Sequence, residues 1–365
     1  MNINELPRVI DAGLWDAGHV QGIAVDTARG YIYYSFTTIL VRSDLSGNII
    51  GYVGGLTGHL GCIDINPEDG CVYGSIEYKH DSIGQGIMEK TGVKLSDEDA
   101  FYIAIFDVDR IDRLGMDAET DGIMRAVYLP EVVADFSARL QDGREHRYAC
   151  SGIDGLGFGP RFGAPADSPR MLTVAYGIYG DNERTDNDYQ VLLTFDWRKF
   201  SDVALPLNQG KPHHSGVLSE SKSFLFTGNT TWGIQNLKYD PYTGDWFAAV
   251  YKGKKPSYPN YPLYRIDGKK APERAVLQGI YPAEEGDIIF LSEEGLCRGD
   301  TGIKGYDFKY GQTGIAPLGG ELEGYFYISH NRSVPVNGGK YKLQTSHVHL
   351  YRYTDDPSIC FEEVK

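Results

Sequence analysis

Nine histidines are scattered through the 365-residue chain, and two of them open the same phrase. "HVQGIAVD" begins at His19 and "HLGCIDIN" at His59. Near neutral pH an imidazole either moves a proton or offers a lone pair to a metal. Both jobs want a carboxylate close by. A further copy of the phrase, "GIDGLGFG" from Gly152, supplies one at Asp154, and Glu77 closes the stretch "GCVYGSIEY". His19, His59 and Asp154, joined by Glu77 or His330, have the ligand types of a mixed histidine–carboxylate site for a divalent metal, calcium or a transition metal. Such an ion would polarise a substrate oxygen or hold a water. Here His59 or His19 is general base or metal ligand, and Asp154 is ligand or acid/base. Lys304, in the copy "GIKGYDFK", stands beside Asp154 as a charge stabiliser. The plain alternatives are histidines that cap their strands on loop carbonyls, and a Lys304–Asp154 ion pair that only fixes the ring. The spacing carries no metal signature that separates these readings.

These side chains meet only if the repeated phrase places them on one surface. The phrase occurs five times, starting at His19, His59, Gly152, Gly233 and Gly302. Its second, fifth and seventh positions are apolar or aromatic, and its fourth is small or short: Gly22, Cys62, Gly155, Asn236 and Gly305. A second phrase follows each copy, with a small residue in one column: Ser35, Ser75, Ala175, Ala249 and Ser329. A third phrase usually ends in Asp, as in "ILVRSD" and "VLLTFD", and most copies allow a fourth strand, as in "NIIGYV", "GIMRAVYL" and "RAVLQGI". Aromatic and β-branched runs between Gly, Asn and Asp are the marks of strands and turns.

Five copies of a four-strand unit predict an all-β, five-bladed β-propeller in a single domain over 1–365. The blades are expected at about 18–54, 58–132, 150–230, 231–281 and 300–365. Residues 8–13 are expected to act as a closing strand that pairs the two chain ends, with "ICFEEVK" competing for the same outer slot. At about 73 residues a blade, the unit exceeds the roughly 40–45 of a WD-type blade, so long loops are expected. They fall between second and third strands, on the face where the phrase begins, and this face is the expected functional surface. "DAETDGIMRA" and "PEVVADFSARLQDG" are each compatible with a short helix.

The first and third positions of the repeat then line the central mouth: His19, Gln21, His59, Gly61, Asp154, Gln235 and Lys304. Second-strand ends add the ligand-binding candidates Glu77, Tyr78, Tyr176, Tyr251 and His330. Tyrosines there, with Tyr258 and Tyr261, could stack on sugar rings or could be ordinary surface aromatics.

The composition narrows the classes. With 41% hydrophobic and 23% charged residues, the chain is that of a globular protein. A net charge of −15 argues against nucleic acid and anionic membrane as partners. Five scattered cysteines without a CxxC pair exclude a zinc ribbon and suit reduced thiols. "MNINELPRVIDAG" has neither a basic start nor an apolar core, so the expected location is cytoplasmic.

"GYIYYSFTTILVRSDLSGNIIG" resembles the strand–turn–strand repeat of NHL, gluconolactonase-like and olfactomedin-type propellers. The blade count is similar to olfactomedin domains, calcium-dependent apyrases and five-bladed glycosidases. That resemblance implies a propeller with a calcium or a carboxylate constellation at its centre. The chain departs from those families in lacking their aspartate set and the three placed carboxylates of the glycosidases. The functional expectation is a hydrolase or lyase acting on a carbohydrate-like or other small polar substrate at the mouth, metal-assisted. The alternative is a non-catalytic propeller that binds a ligand or a protein.

Overall fold

The computed structural model describes residues 2–94 and 96–365. It is an all-β, five-bladed propeller. Blade 1 is Val20–Asp26, Tyr31–Phe36, Ile39–Asp44 and Ile49–Gly54; blade 2 is His59–Ile65, Val72–Tyr78, Ala100–Phe106 and Met124–Tyr128. Blade 3 is Cys150–Gly159, Met171–Ile178, Tyr189–Phe195 and Ser221–Phe226. Blade 4 has three paired strands, Thr230–Asp240, Asp245–Lys252 and Leu263–Ile266. Its fourth position is filled by two isolated bridges, at Leu291 and Tyr306. Blade 5 runs Ile315–Pro317, Tyr325–Val336 and Tyr341–Tyr353.

Both chain ends complete blade 5. Val9–Asp11 pairs with His347–His349, and Phe361–Glu363 pairs with Tyr351–Tyr353. The two segments therefore share one outer slot end to end, which resolves their competition. This closes the ring and leaves no open seam.

Packing follows from the two-sided character of each blade. Apolar residues on both faces must be covered, and five buried clusters do so, one at each seam between neighbouring blades. Ile10, Val20, Tyr34, Tyr327 and Val348 meet at the closing seam. The small fourth column is a consequence of crowding at the axis. A Cβ on Gly22 would come within 2.9 Å of the Cys62 Cα. Where a side chain does fit, it ties blades together: Asn236 Nδ2 donates to the carbonyls of Gln21 (2.8 Å) and Gln312 (2.9 Å), and the Cys62 thiol donates to its Oδ1 (3.3 Å). Blades 4, 1, 5 and 2 are thus bolted through one buried amide. The serine column does similar work, since Ser35 Oγ donates to Gly61 O (2.7 Å) and Ser75 Oγ to Asp154 O (2.9 Å).

Three expectations are corrected. The copy "GIKGYDFK" is not the inner strand of blade 5. Lys304–Gly305 pairs with Leu296–Cys297 in a short outer hairpin, and the inner strand is Ile315–Pro317. That strand has three residues and ends in proline, too few columns to show the repeat. "RAVLQGI" is not the fourth strand of blade 4, because Glu273–Val276 pairs with Glu285–Ile289 on the outer edge of blade 3. "DAETDGIMRA" forms no helix; it holds Met116–Asp117, a turn and the start of Met124–Tyr128, whereas Pro130–Phe136 is helical. Part of the excess length per blade is spent on added outer strands. Met116–Asp117, Leu205–Pro206 and the pair 273–276 and 285–289 extend blades 1, 2 and 3.

The connections between second and third strands gather on the face where inner strands begin. One contains the helix Ser82–Thr91, and another prolongs blade 5 into a ribbon reaching Val336 and Tyr341. No helix among the described residues is long and apolar enough to cross a membrane.

Candidate functional site

Inner strands reach the mouth by their first residues. This brings His19 and Gln21 from blade 1, His59 from blade 2, Asp154 from blade 3 and Gln235 from blade 4 around one cavity of about 470 Å³. Second strands and the residue just past one of them add Glu77, Lys79, Tyr251 and Lys252, the inner strands of blades 3 and 4 add Ser151, Thr231 and Trp232, and the helix 82–91 adds Ile83. An opposite cavity of about 500 Å³ lies among the turns between first and second strands, lined by Asp26, Asp64, Pro67, Lys238 and Pro241. It shares no residue with the mouth, and the Asn236 bolt lies in the inner strands between them.

At the floor of the mouth, His59, Glu77 and Asp154 each offer a ligand atom, all within 4.8 Å of one another. His59 Nδ1 lies 3.6 Å from Glu77 Oε1 and 3.8 Å from Asp154 Oδ1, and is buried without a hydrogen-bond partner. Lys79 Nζ pairs with Glu77 Oε1 at 2.5 Å, donates to Ser151 O at 2.7 Å and stands 3.3 Å from Asp81 Oδ2. Glu77 Oε2 accepts from the Ile153 amide (3.0 Å), and Asp154 Oδ2 from Gln235 Nε2 (3.0 Å). Asp81 in turn caps the helix 82–91, accepting from the amides of Ile83 and Gly84. The helix is thereby pinned to the floor and sets Ile83 in the cavity wall.

Burial governs the electrostatics. It pushes His59 down to about 3, helped by the Lys79 charge and by His19, so the imidazole is neutral. Burial lowers His19 as well. Asp154 is raised well above the usual carboxylate range by burial and then by Glu77. Glu77 is raised by burial against the pull of Lys79. Burial opposes the Lys79 charge, yet Glu77, Asp81 and Asp154 outweigh it and hold the ammonium above its ordinary range. Three carboxyl groups thus face one ammonium in a largely buried site. Such a set is relieved by a proton or by a bound cation.

One wall carries backbone strain. Trp232 sits at φ 66° and Gly233 at φ 71°. A left-handed tryptophan is an outlier, of the kind that collects at ligand sites. A Cβ on Gly233 would lie 2.4 Å from Tyr176 O, so only glycine lets the chain pass and present the indole. Trp232 packs edge-on to Tyr179 and accepts at its carbonyl from Gln235 Nε2 (3.0 Å). Tyr251 lines the same cavity, pushed up to about 12 by burial and by Asp154.

The sequence candidates divide. His19, Gln21, His59, Glu77, Asp154, Gln235 and Tyr251 share the cavity. In the three-ligand group Glu77 stands where His19 was expected. Lys304 is not beside Asp154: it lies on the outer hairpin, paired with Glu293 at 2.5 Å. Tyr78 and Tyr176 are buried between blades, bonded to Gln209 (2.9 Å) and Asp135 (3.1 Å). His330 stacks between Tyr310 and His349 on blade 5, away from the cavity. Tyr261 is in the core, and Tyr258 bonds Asp188 at 2.8 Å. Lys79, Trp232 and Lys252 were missed. The Glu77-x-Lys79 spacing was a usable signal, because alternate residues of a strand share a face.

No family model matches the chain, and no curated protein matches it. Solved structures do. The Dos1 propeller is 10% identical with a TM-score of 0.32 over 85% of this chain, which spans about half (52%) of that one. A functionally unknown protein from Desulfotomaculum acetoxidans is 10% identical, with a TM-score of 0.36 over 98% of this chain and 76% of its own. The PQQ domain of pyranose dehydrogenase from Coprinopsis cinerea is 10% identical, with a TM-score of 0.34 over 89% of this chain and 81% of its own. None of these likenesses carries a chemistry over to this chain.

Proposed function

We propose that the ring mouth is a catalytic site that hydrolyses or eliminates across a bond of a small polar, carbohydrate-like molecule, assisted by one divalent cation. The observation that carries this is His59 Nδ1, a buried ring nitrogen without a hydrogen-bond partner, faced by one oxygen each from Glu77 and Asp154. Two ligands about 2.1 Å from a common ion lie no more than about 4.2 Å apart. The two His59 separations, 3.6 and 3.8 Å, meet that limit, and the three ligand atoms all lie within 4.8 Å of one another. His59, Glu77 and Asp154 would hold the ion, and its chemistry would be to polarise a substrate oxygen or acidify a water. Lys79, already beside Glu77, adds positive charge where an oxyanion would develop. Trp232 and Tyr251 offer aromatic faces, and Gln21, Gln235 and Thr231 offer the amide and hydroxyl groups that sugars bond.

A non-catalytic binding mouth competes, favoured by the Lys79–Glu77 contact, which partly neutralises the floor without a metal. Two measurements separate them. Purified protein dialysed against calcium, manganese or zinc is expected to retain about one ion per chain by mass spectrometry for one of the three, and His59→Ala is expected to lose it. Product formation from a panel of oligosaccharides should then require that ion. An absence of metal from the unsubstituted protein sinks the metal-assisted version. Bound sugar without turnover supports the binding reading. Because burial and Glu77 raise the Asp154 carboxyl, cation uptake is expected to release protons in weakly buffered solution, and affinity to fall as pH is lowered.

A further inference from the structure

The rim above the mouth is divided by charge. The connection of blade 2, residues 79–99, has five acidic residues against three lysines, and that of blade 3, residues 178–189, has four against one arginine. The corresponding segments of blades 4 and 5 have none. Residues 252–260 hold three lysines and 331–346 hold Arg332, Lys340 and Lys342, without a single Asp or Glu, in a chain of net charge −15. Lys255 is spent on Asp188. Among the described residues, Lys252, Lys254, Arg332, Lys340 and Lys342 have no carboxylate within ion-pair distance. Lys252 lines the same cavity as His59. The blade 5 segment is the ribbon prolonging Tyr325–Val336 and Tyr341–Tyr353, longer than any other second or third strand of the ring. Its base stands at the mouth, where Asn331 Oδ1 accepts from the Val20 amide beside His19. Its outer part is exposed and carries Tyr341, 48% accessible.

Like charges gathered without counter-ions cost repulsion, and a surface that keeps them usually meets an anion. A neutral sugar would gain nothing from them, and a single small anion would need only Lys252. Cations running from the cavity wall out along the ribbon suit a ligand with repeated negative charge, and the exposed tyrosine suits one with ring faces. We propose that the substrate of the mouth is an anionic glycan, a chain of carboxylate-bearing sugars laid along the basic half of the rim with one unit in the cavity. This deepens the carbohydrate reading above and rests on it.

The test is binding by isothermal titration of a six-unit oligogalacturonate, a neutral six-unit glucan and a single-stranded oligonucleotide, in low salt and in about 0.3 M NaCl. The proteins are the unsubstituted chain, Lys252→Gln/Lys254→Gln, and Arg332→Gln/Lys340→Gln/Lys342→Gln. These exposed changes are far from the core, and circular dichroism checks the fold. The acidic glycan is expected to bind about tenfold or more tighter than the neutral one in low salt, an advantage that salt erodes. Each variant is expected to lose several-fold more for the acidic glycan than for the neutral one. Equal binding of both glycans, or variants that bind the acidic one unchanged, overturns the inference and leaves the carbohydrate mouth standing. Binding of neither glycan overturns that earlier reading, and this one with it. Tightest binding of the oligonucleotide replaces the glycan by a nucleic acid and equally overturns the inference.

Discussion

Lys79→Met is expected to cost about 3–5 kcal/mol of folding stability, the range for removing one partner of a buried ion pair. The ammonium is 3% exposed and the Glu77 carboxylate 2%. Methionine fills the space of the chain but leaves Glu77 in a dry site with only the Ile153 amide for company. Urea unfolding at pH 7 reads the loss as a lower midpoint at constant slope. Adding Glu77→Gln should return part of it, because the charge that lost its partner is gone. The pH dependence has a definite sign. Without Lys79, Glu77 holds its proton more tightly folded than unfolded, so the variant gains on the unsubstituted protein as pH falls from 7 towards 5. A deficit under about 1 kcal/mol, unchanged by pH, would mean that Lys79 and Glu77 are not a buried pair.

Asn236→Leu should be comparably severe, about 3–4 kcal/mol, for a different reason. Leucine is close in volume, so the loss is not a cavity. It is the stranding of the Gln21 and Gln312 carbonyls, which are left without a donor at the axis. Against a typical total of about 5–15 kcal/mol, either substitution consumes a large share. The measurement is again the urea midpoint, with Asn236→Asp beside it. A buried charge should be worse than leucine if the bolt is dry, and better if water reaches it.

Much of the architecture was legible because four inner strands are long enough to display several columns. Val20, Gly22, Ile23 and Val25 repeat as Leu60, Cys62, Ile63 and Ile65 since the large residues of each row pack into the crowded seam with the preceding blade. The fifth inner strand broke the rule. Ile315–Pro317 is held by its neighbours and by Gly314, at φ 138°, and needs little pattern of its own. "GIKGYDFK" imitated the phrase because Ile303 and Tyr306 also pack into interblade seams, but from the outer edge. That single misplacement carried Lys304 to the mouth. The real ammonium, Lys79, was overlooked because it sits at a strand end where a loop was expected to begin. Trp232 was overlooked because its position depends on a left-handed turn, which the "WG" pair hints at but no periodicity reveals. Tyr78, Tyr176 and His330 show the converse: a strand-end position fixes height along the ring, while the pleat decides whether a side chain meets solvent or the next blade.

The Asn236 bolt has a consequence for traffic. Hydrogen bonds from one amide to three neighbouring blades cross the middle of the ring, and Asn236 and Cys62 are both fully buried. The propeller is therefore a cup and not a tunnel. A molecule that enters the mouth must leave on the same side, so one occupant has to clear it before the next is admitted. A long polymer cannot be threaded and ratcheted through; it can only dip a loop or an end into the cup and lift away between encounters.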